Sequence, residues 1–147
     1  TLRLARAARH VYAVEVEPKL LEVLRDRLAA AEVRNVTPVL GLQGDPLLAK
    51  GACDVVLVVN TFHHFPDGVA YLGRLVASLR PGGRIAVVDY HKRELDKDLG
   101  PPLELKVARE DLLAAAEQAG LELVDEPAFL PYQYFLVLHP KGTRPEP

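Results

Sequence analysis

Short apolar runs alternate with amphipathic segments along most of the chain. The first run, residues 11–16, is rich in valine, and Pro18 and leucines at positions 20, 21, 24 and 28 follow it. Leucines three and four residues apart form one apolar stripe on a helix, and proline suits the first helical turn. This stretch therefore predicts a strand followed by a helix.

The next two apolar runs predict strands of different kinds. Residues 35–40 read as a weaker strand, and Pro38 confines it to the edge of a sheet. Residues 54–59 are almost entirely apolar, which is typical of a parallel strand covered on both faces. Asp67 is placed to cap a following helix. The predicted core positions of that helix are Leu72, Leu75, Val76 and Leu79.

Turn residues divide the second half of the chain. We expect Pro81-Gly82-Gly83 to end the helix and lead into a strand over residues 84–89. Residues 91–106, interrupted by Gly100-Pro101-Pro102, predict a long surface loop. A third helix over 109–119 ends on Gly120. Strands over 121–124 and 133–138 follow, and their short non-helical connection predicts an antiparallel pair.

This alternation predicts an α/β fold with a doubly wound, mostly parallel sheet and an antiparallel last strand. Ligands of such sheets bind beyond the carboxyl ends of the strands. That rule selects Glu15, residues 41–45, residues 60–64 and residues 89–91 as the places where function should lie.

Composition narrows the classes of protein. The 147 residues suit one domain, which we place at 1–139 with a flexible tail at 140–147. A net charge of −2 disfavours nucleic acid and anionic membrane surfaces as partners. The longest apolar run, residues 55–59, is too short to cross a membrane, and residues 1–10 do not resemble a signal peptide. We expect a cytoplasmic protein, and the single cysteine, Cys53, excludes an internal disulfide.

Three motifs in this order resemble class I S-adenosylmethionine-dependent methyltransferases. They are Val11-Tyr-Ala-Val-Glu-Val-Glu-Pro18, the run from Asp54 to Phe65 with Asn60-Thr-Phe-His-His64 in it, and Leu79-Arg-Pro-Gly-Gly-Arg-Ile-Ala-Val-Val-Asp89. The Ala-Gly120-Leu element and a last strand with Tyr134 and Phe135 are also similar. The resemblance implies a Rossmann-like fold, S-adenosylmethionine as cofactor, and methyl transfer to a small-molecule acceptor that these residues do not identify.

The chain departs from the family pattern in two places. The first strand and the glycine-rich loop after it are missing, and residues 1–8 resemble the helix that normally follows them. Either the chain lacks an N-terminal piece or it is a degenerate member, and we favour the first alternative because losing a central strand would expose unpaired backbone. After the third strand of the family, where an acidic residue often faces adenine, this chain has Leu42 and Gln43.

The resemblance implies a set of cofactor-binding residues. Glu15 would accept hydrogen bonds from the ribose hydroxyls, although it could be a solvated charge near a helix start. Val16 would lie against the adenine or belong to the core. Because Leu42 and Gln43 stand where the acidic residue often lies, they would form the adenine contact through backbone groups or the Gln43 amide. The Asn60 carbonyl would hold the ammonium group, unless Asn60 is a turn residue that bonds its own backbone.

The sequence does not decide which residues are catalytic. The candidates at the carboxyl ends of the strands are His63, His64, Asp89, Tyr90 and His91. A histidine could deprotonate an acceptor hydroxyl, thiol or carbon acid. Adjacent histidines rarely point the same way, so we expect no metal site and a structural role for at least one of the pair.

Two other functions compete with methyl transfer. A nucleotide-binding oxidoreductase of the NAD type would also need an acid at Glu15, but no Gly-x-Gly-x-x-Gly motif is present. A non-catalytic binding subunit with a methyltransferase fold would explain the missing glycine-rich loop. Fold does not fix substrate, and neither the acceptor nor the oligomeric state follows from these residues.

Overall fold

The computed structural model describes residues 1–95 and 99–142. The chain forms two compact units, Thr1–Leu47 and Leu48–Pro147. Within the described residues, no helix is long and apolar enough to cross a membrane.

The N-terminal unit is a two-stranded parallel sheet with two helices. Its elements are α1 (Leu2–Ala5), β1 (Val11–Glu15), α2 (Pro18–Ala30) and β2 (Val36–Leu40). The register runs from Val11 opposite Val36 to Glu15 opposite Leu40, so the two strands end side by side. The Asn35 amide ties this sheet to the start of the chain, because its Nδ2 donates to the carbonyls of Ala5 (2.8 Å) and Ala8 (3.0 Å).

Helix α2 confirms the predicted proline start and most of the leucine stripe. Pro18 occupies the first turn, and Leu21 and Leu28 are buried. Leu20, which we assigned to the same stripe, is exposed instead. A helix of this length buries one narrow face, and the position directly before Leu21 lies 100° away from it around the axis.

The described part of the C-terminal unit is a four-stranded mixed sheet with two helices. Its elements are β3 (Cys53–Val59), a short 3₁₀ turn (Phe62–His64), α3 (Gly68–Ser78), β4 (Leu79–Tyr90), a second 3₁₀ turn (Leu103–Leu105), α4 (Arg109–Gln118), β5 (Leu121–Asp125) and β6 (Gln133–Pro140). The strand order is β3-β4-β6-β5. Strands β3 and β4 are parallel, whereas β6 is antiparallel to both of its neighbours. The mostly parallel α/β fold with an antiparallel last strand is therefore confirmed.

The sequence predicted the Asp67 cap of α3, the end of that helix and the start of β4. Asp67 caps α3 as expected, since its Oδ1 accepts a hydrogen bond from the Ala70 amide (2.9 Å). Helix α3 ends at Ser78 and β4 begins at Leu79, whereas we expected the strand to begin at residue 84. Leu79 is already extended (φ −76°, ψ 143°), and the proline at 81 also disfavours a helical conformation for the residue before it.

Strand β3 is buried on one face only, and the prediction of two covered faces was wrong. Val56 and Val58 belong to the apolar core that α3 and α4 form with the sheet. Val55, Leu57 and Val59 point to the other face and are 47%, 42% and 44% exposed. Successive side chains of a strand alternate between faces, and the core that α3 and α4 form within the C-terminal unit lies on one of them.

The loop over residues 91–106 is anchored at several described positions. Lys106 is buried, and its Nζ donates to the Arg93 carbonyl (2.8 Å). The Arg93 guanidinium in turn donates to the Pro131 carbonyl (2.8 Å). Gly100 has φ 79°, and a Cβ there would lie 2.8 Å from the Tyr90 ring, so this close contact requires glycine. Residues 96–98 of this loop lie outside the described residues.

The predicted tail begins within an ordered element. Pro140 is the last residue of β6 and pairs with Leu121. The Lys141 amide donates to the Gly120 carbonyl (2.8 Å). Residues 143–147 of the predicted tail lie outside the described residues.

Candidate functional site

Glu15 ends β1 with a carboxylate that the backbone holds in place. Its Oε1 accepts hydrogen bonds from the amides of Val16 (2.8 Å) and Glu17 (3.0 Å). These two amides occupy the acceptor capacity of one oxygen, so Oε2 is the oxygen that can take a further donor. The group is half-buried, and its orientation is set before any ligand arrives.

The turn after β2 lies beside this carboxylate through the backbone. The Gly41 amide donates to the Glu15 carbonyl (2.9 Å). Leu42 and Asp45 then exchange backbone hydrogen bonds, and Asp45 Oδ1 accepts from the Leu47 amide (2.8 Å). The turn leaves the side chains of Leu42 and Gln43 exposed, and Val16 is exposed as well. Val16 is 47% exposed and so does not belong to a core, and its contact with adenine stays a prediction.

Asn60 follows β3 in a left-handed conformation. Its φ is 51°, and its amide donates to the Val88 carbonyl (2.8 Å). Its side-chain Oδ1 accepts a hydrogen bond from Nε2 of Gln133 (2.6 Å) rather than from its own backbone. Among the described residues, none donates to the Asn60 carbonyl oxygen, which therefore keeps its acceptor capacity for a ligand.

His63 and Asp89 face each other where β3 and β4 end. His63 Nδ1 lies 3.5 Å from Asp89 Oδ2, and the two side chains are 6% and 0% exposed. Asp89 Oδ1 accepts from the Tyr90 amide (2.8 Å), which fixes the carboxylate. His64 is exposed, and its ring lies 4.0 Å from the His63 ring between centroids. The two rings therefore lie side by side, contrary to our expectation that adjacent histidines point different ways, although only the His63 side chain is buried.

His91 and Tyr90 occupy the rest of this edge. His91 packs edge-on against Tyr134 and lines an open cleft of about 370 Å³ with Lys92, Arg93 and the start of α4. The Tyr134 hydroxyl donates to the Val107 carbonyl (3.3 Å). Burial, followed by the charge of Asp89, raises the pKa of Tyr134 far above its usual range, so this phenol stays protonated.

The candidate residues thus form one group in each unit. Glu15, Val16, Leu42 and Gln43 lie at the carboxyl ends of β1 and β2, and Asn60, His63, Asp89, Tyr90 and His91 lie at those of β3 and β4. Gln133, which orients Asn60, was not anticipated. The sequence could have indicated Gln133, because an antiparallel strand places its first residue at the edge of the sheet where its parallel neighbours end. Among the described residues, no group of three or more histidine, cysteine or carboxylate side chains could hold a metal ion.

Comparison with known proteins decides the family. The family model for a methyltransferase domain matches residues 1–85, more than half of the chain. This chain belongs to that methyltransferase family. The class I resemblance inferred from the three sequence motifs is thereby confirmed at the level of family and fold.

Relatives and solved structures extend the comparison. This methyltransferase domain is 30% identical over 79 residues to the uncharacterized protein YafE of Escherichia coli K12, a match covering 54% of this chain and 38% of that protein. The chain thus spans well under half of this relative. A SAM-dependent methyltransferase of Aquifex aeolicus superposes with a TM-score of 0.81 at 22% identity, over 88% of this chain and 68% of that one.

A protein with a different named activity has a similar fold. The [4+2]-cyclase SpnF superposes with a TM-score of 0.74 at 21% identity, over 86% of this chain and 47% of that one. Likeness of fold at this identity therefore leaves the reaction of this methyltransferase domain to be argued from its own residues.

Proposed function

We propose that this domain transfers the methyl group of S-adenosylmethionine to a small-molecule acceptor. The observation that carries the proposal is the Glu15 carboxylate, fixed by two backbone amides at the end of β1, in a chain of the methyltransferase family. When bound, S-adenosylmethionine supplies a methyl group already activated by its sulfonium. The residues of this chain then have to bind, align the acceptor and exclude water.

The residues present fit such a cofactor in two places. Glu15 Oε2 suits a ribose hydroxyl, since a carboxylate oxygen with a fixed orientation is a strong acceptor. Val16, Leu42 and Gln43 supply exposed apolar and amide groups at the same edge of the N-terminal unit for an adenine ring. In the C-terminal unit, the Asn60 carbonyl suits an ammonium group.

Calorimetric titration of the full chain tests the choice of ligand. S-adenosylmethionine and S-adenosylhomocysteine should both bind, and NAD should give no heat of binding. Binding of NAD together with no response to the other two ligands would support the oxidoreductase alternative and overturn the proposal.

Binding alone does not separate an enzyme from a non-catalytic subunit. We therefore expect tritium from methyl-labelled S-adenosylmethionine to appear in a small-molecule product. A protein that binds S-adenosylhomocysteine and transfers no label to any acceptor would favour the non-catalytic alternative.

A further inference from the structure

Two buried polar atoms stand out in the C-terminal unit. Among the described residues, His63 Nδ1 and Asp89 Oδ2 are the buried side-chain atoms that have no hydrogen-bond partner. They lie 3.5 Å from each other, just beyond a good hydrogen bond. A buried carboxylate oxygen without a partner destabilises the fold, and a purely structural contact would gain by closing this gap.

We propose that His63 is the proton acceptor of the methyl-transfer reaction, that Asp89 positions it, and that the acceptor carries an O–H or S–H group. This inference rests on the proposed methyl transfer and deepens it. The carboxylate of Asp89 faces Nδ1, so it favours the tautomer with the proton on Nδ1 and leaves the lone pair on Nε2. Hydrogen bonds of this kind are often long before the substrate is bound.

The acceptor oxygen or sulfur uses a lone pair to bond the methyl carbon, displacing the sulfonium sulfur, which keeps the electron pair of the broken carbon–sulfur bond. The proton of the acceptor passes to Nε2 of His63. The negative charge of Asp89 stabilises the imidazolium until water removes the proton.

Tyr134 and His64 are less suited than His63 to accept this proton. Tyr134, opposite Asp89 on β6, stays protonated, because burial and the Asp89 charge raise its pKa. His64, on the same 3₁₀ turn, is exposed and has no carboxylate within salt-bridge distance among the described residues. Asp89 is fully buried, so its carboxylate is not accessible to an acceptor. Among these residues, His63 is the one whose ring Asp89 orients and whose positive charge, once the proton has been accepted, Asp89 compensates.

An acceptor-free measurement tests the positioning. Long-range proton–nitrogen NMR of histidine-labelled full chain should show neutral His63 protonated on Nδ1. In Asp89→Asn the side-chain oxygen keeps the bond from the Tyr90 amide, so the NH₂ group faces His63 and should reverse the tautomer. A wild-type proton on Nε2, or a tautomer that Asp89→Asn leaves unchanged, would overturn the assignment.

Transfer of tritiated methyl to three aromatic probes that are uncharged at neutral pH, phenol, phenylmethanethiol and aniline, tests the acceptor class. We expect label in phenol or phenylmethanethiol, at least a 100-fold loss of kcat at neutral pH in His63→Ala, and a similar loss in Asp89→Asn. Affinity for S-adenosylhomocysteine should not change in either variant. His10→Ala, which removes a histidine at the amino end of β1, is the matched control and should keep full activity.

The pH profile distinguishes a base from a structural residue. With phenol as the probe, His63→Ala should regain activity at a pH above the pKa of phenol, because the phenolate needs no base. Transfer confined to aniline, no transfer to any probe by a protein that binds S-adenosylmethionine, or unchanged kcat in His63→Ala would each overturn the proposal. Loss of cofactor binding by the wild type would instead overturn the proposed function.

Discussion

The amide of Gln133 holds the side chain of Asn60 across the sheet of the C-terminal unit. Nε2 of Gln133 donates to Oδ1 of Asn60 at 2.6 Å, and the two residues are 73 positions apart in the chain. The first residue of the antiparallel strand thereby orients the residue that follows β3. A side chain fixed in this way leaves the Asn60 backbone carbonyl at a constant position for a ligand.

The left-handed backbone of Asn60 predicts a specific order of stability among variants. Asn60→Ala and Asn60→Gly both remove the bond to Gln133, but only alanine is strained at φ 51°. We expect Asn60→Ala to be about 1 kcal/mol less stable than Asn60→Gly, measured by urea unfolding at neutral pH. Equal stability of the two variants would show that this conformation is not strained. Gln133→Ala, which leaves the backbone at 60 unchanged, isolates the contribution of the hydrogen bond.

Local signals predicted the elements well because they depend on neighbouring residues. The proline start of α2 and the Asp67 cap are short-range effects, and the structure has both. The start of β4 was misplaced because Pro81-Gly82-Gly83 is a helix stop in most contexts, whereas here the strand continues through it. Burial of β3 was misjudged because an apolar sequence shows which faces could be covered, not which faces other elements reach.

The candidate site could be predicted to the level of strand ends and no further. The rule for carboxyl ends selected Glu15, Asn60, His63 and Asp89 without any coordinates. Their contacts depend on longer-range geometry. The approach of His63 to Asp89 requires the 3₁₀ turn over Phe62–His64, and the bond from Gln133 requires the register of β6. Neither distance is encoded in local residue patterns.

Removal of the Glu15 carboxylate should weaken cofactor binding. Glu15→Ala removes the acceptor at Oε2, and we expect a loss of about 1.5–3 kcal/mol in the affinity for S-adenosylhomocysteine, the scale of a hydrogen bond to a charged group. Calorimetry measures it directly. Glu22→Ala, an exposed glutamate on α2, is the control and should bind normally. Unchanged affinity in Glu15→Ala would remove Glu15 from the site.

The buried Tyr134 hydroxyl predicts a pH-dependent stability difference. Tyr134→Phe loses the bond to the Val107 carbonyl, so at pH 8 it should be less stable than wild type by about 0.5–1.5 kcal/mol. Burial raises the pKa of Tyr134 above its usual value of 10.0, and the charge of Asp89 adds to this effect. Stability linked to a raised pKa is complete below the unfolded value and is lost as the pH rises above it.

The difference in the free energy of unfolding between wild type and Tyr134→Phe should therefore narrow above pH 10. Only the wild type contains the phenol whose pKa is raised by folding, so only the wild type loses this contribution to stability. Urea unfolding at pH 8 and pH 10.5 measures the change. Other tyrosines and the lysines titrate equally in both proteins, so the difference between the two isolates Tyr134. A gap that is constant over this range would contradict the raised pKa.

Arg109 and Glu126 form a two-point ion pair that predicts the opposite pH dependence. The guanidinium donates Nε to Oε1 (2.7 Å) and a terminal nitrogen to Oε2 (2.6 Å) of Glu126. These bonds hold the pKa of Glu126 below its usual value of 4.5, and the charges of Arg109 and His91 contribute in the same direction. The pair is partly exposed, so solvent screening limits its contribution to about 0.5–1 kcal/mol.

Glu126→Gln should therefore lower stability by that amount at pH 7 and by progressively less as the pH falls below 4.5, through the lowered pKa of the folded protein. A lowered carboxyl pKa stabilises the fold only at pH values at which the same carboxyl is also ionised in the unfolded chain. Glu110→Gln is the matched control, since Glu110 touches the same arginine at 3.5 Å and is 76% exposed. Urea unfolding at pH 7 and pH 3 should show the pH-dependent gap for Glu126→Gln and no comparable gap for Glu110→Gln. Equal gaps in the two variants would mean that the general charge of the surface, and not the two-point geometry, sets the stability of this contact.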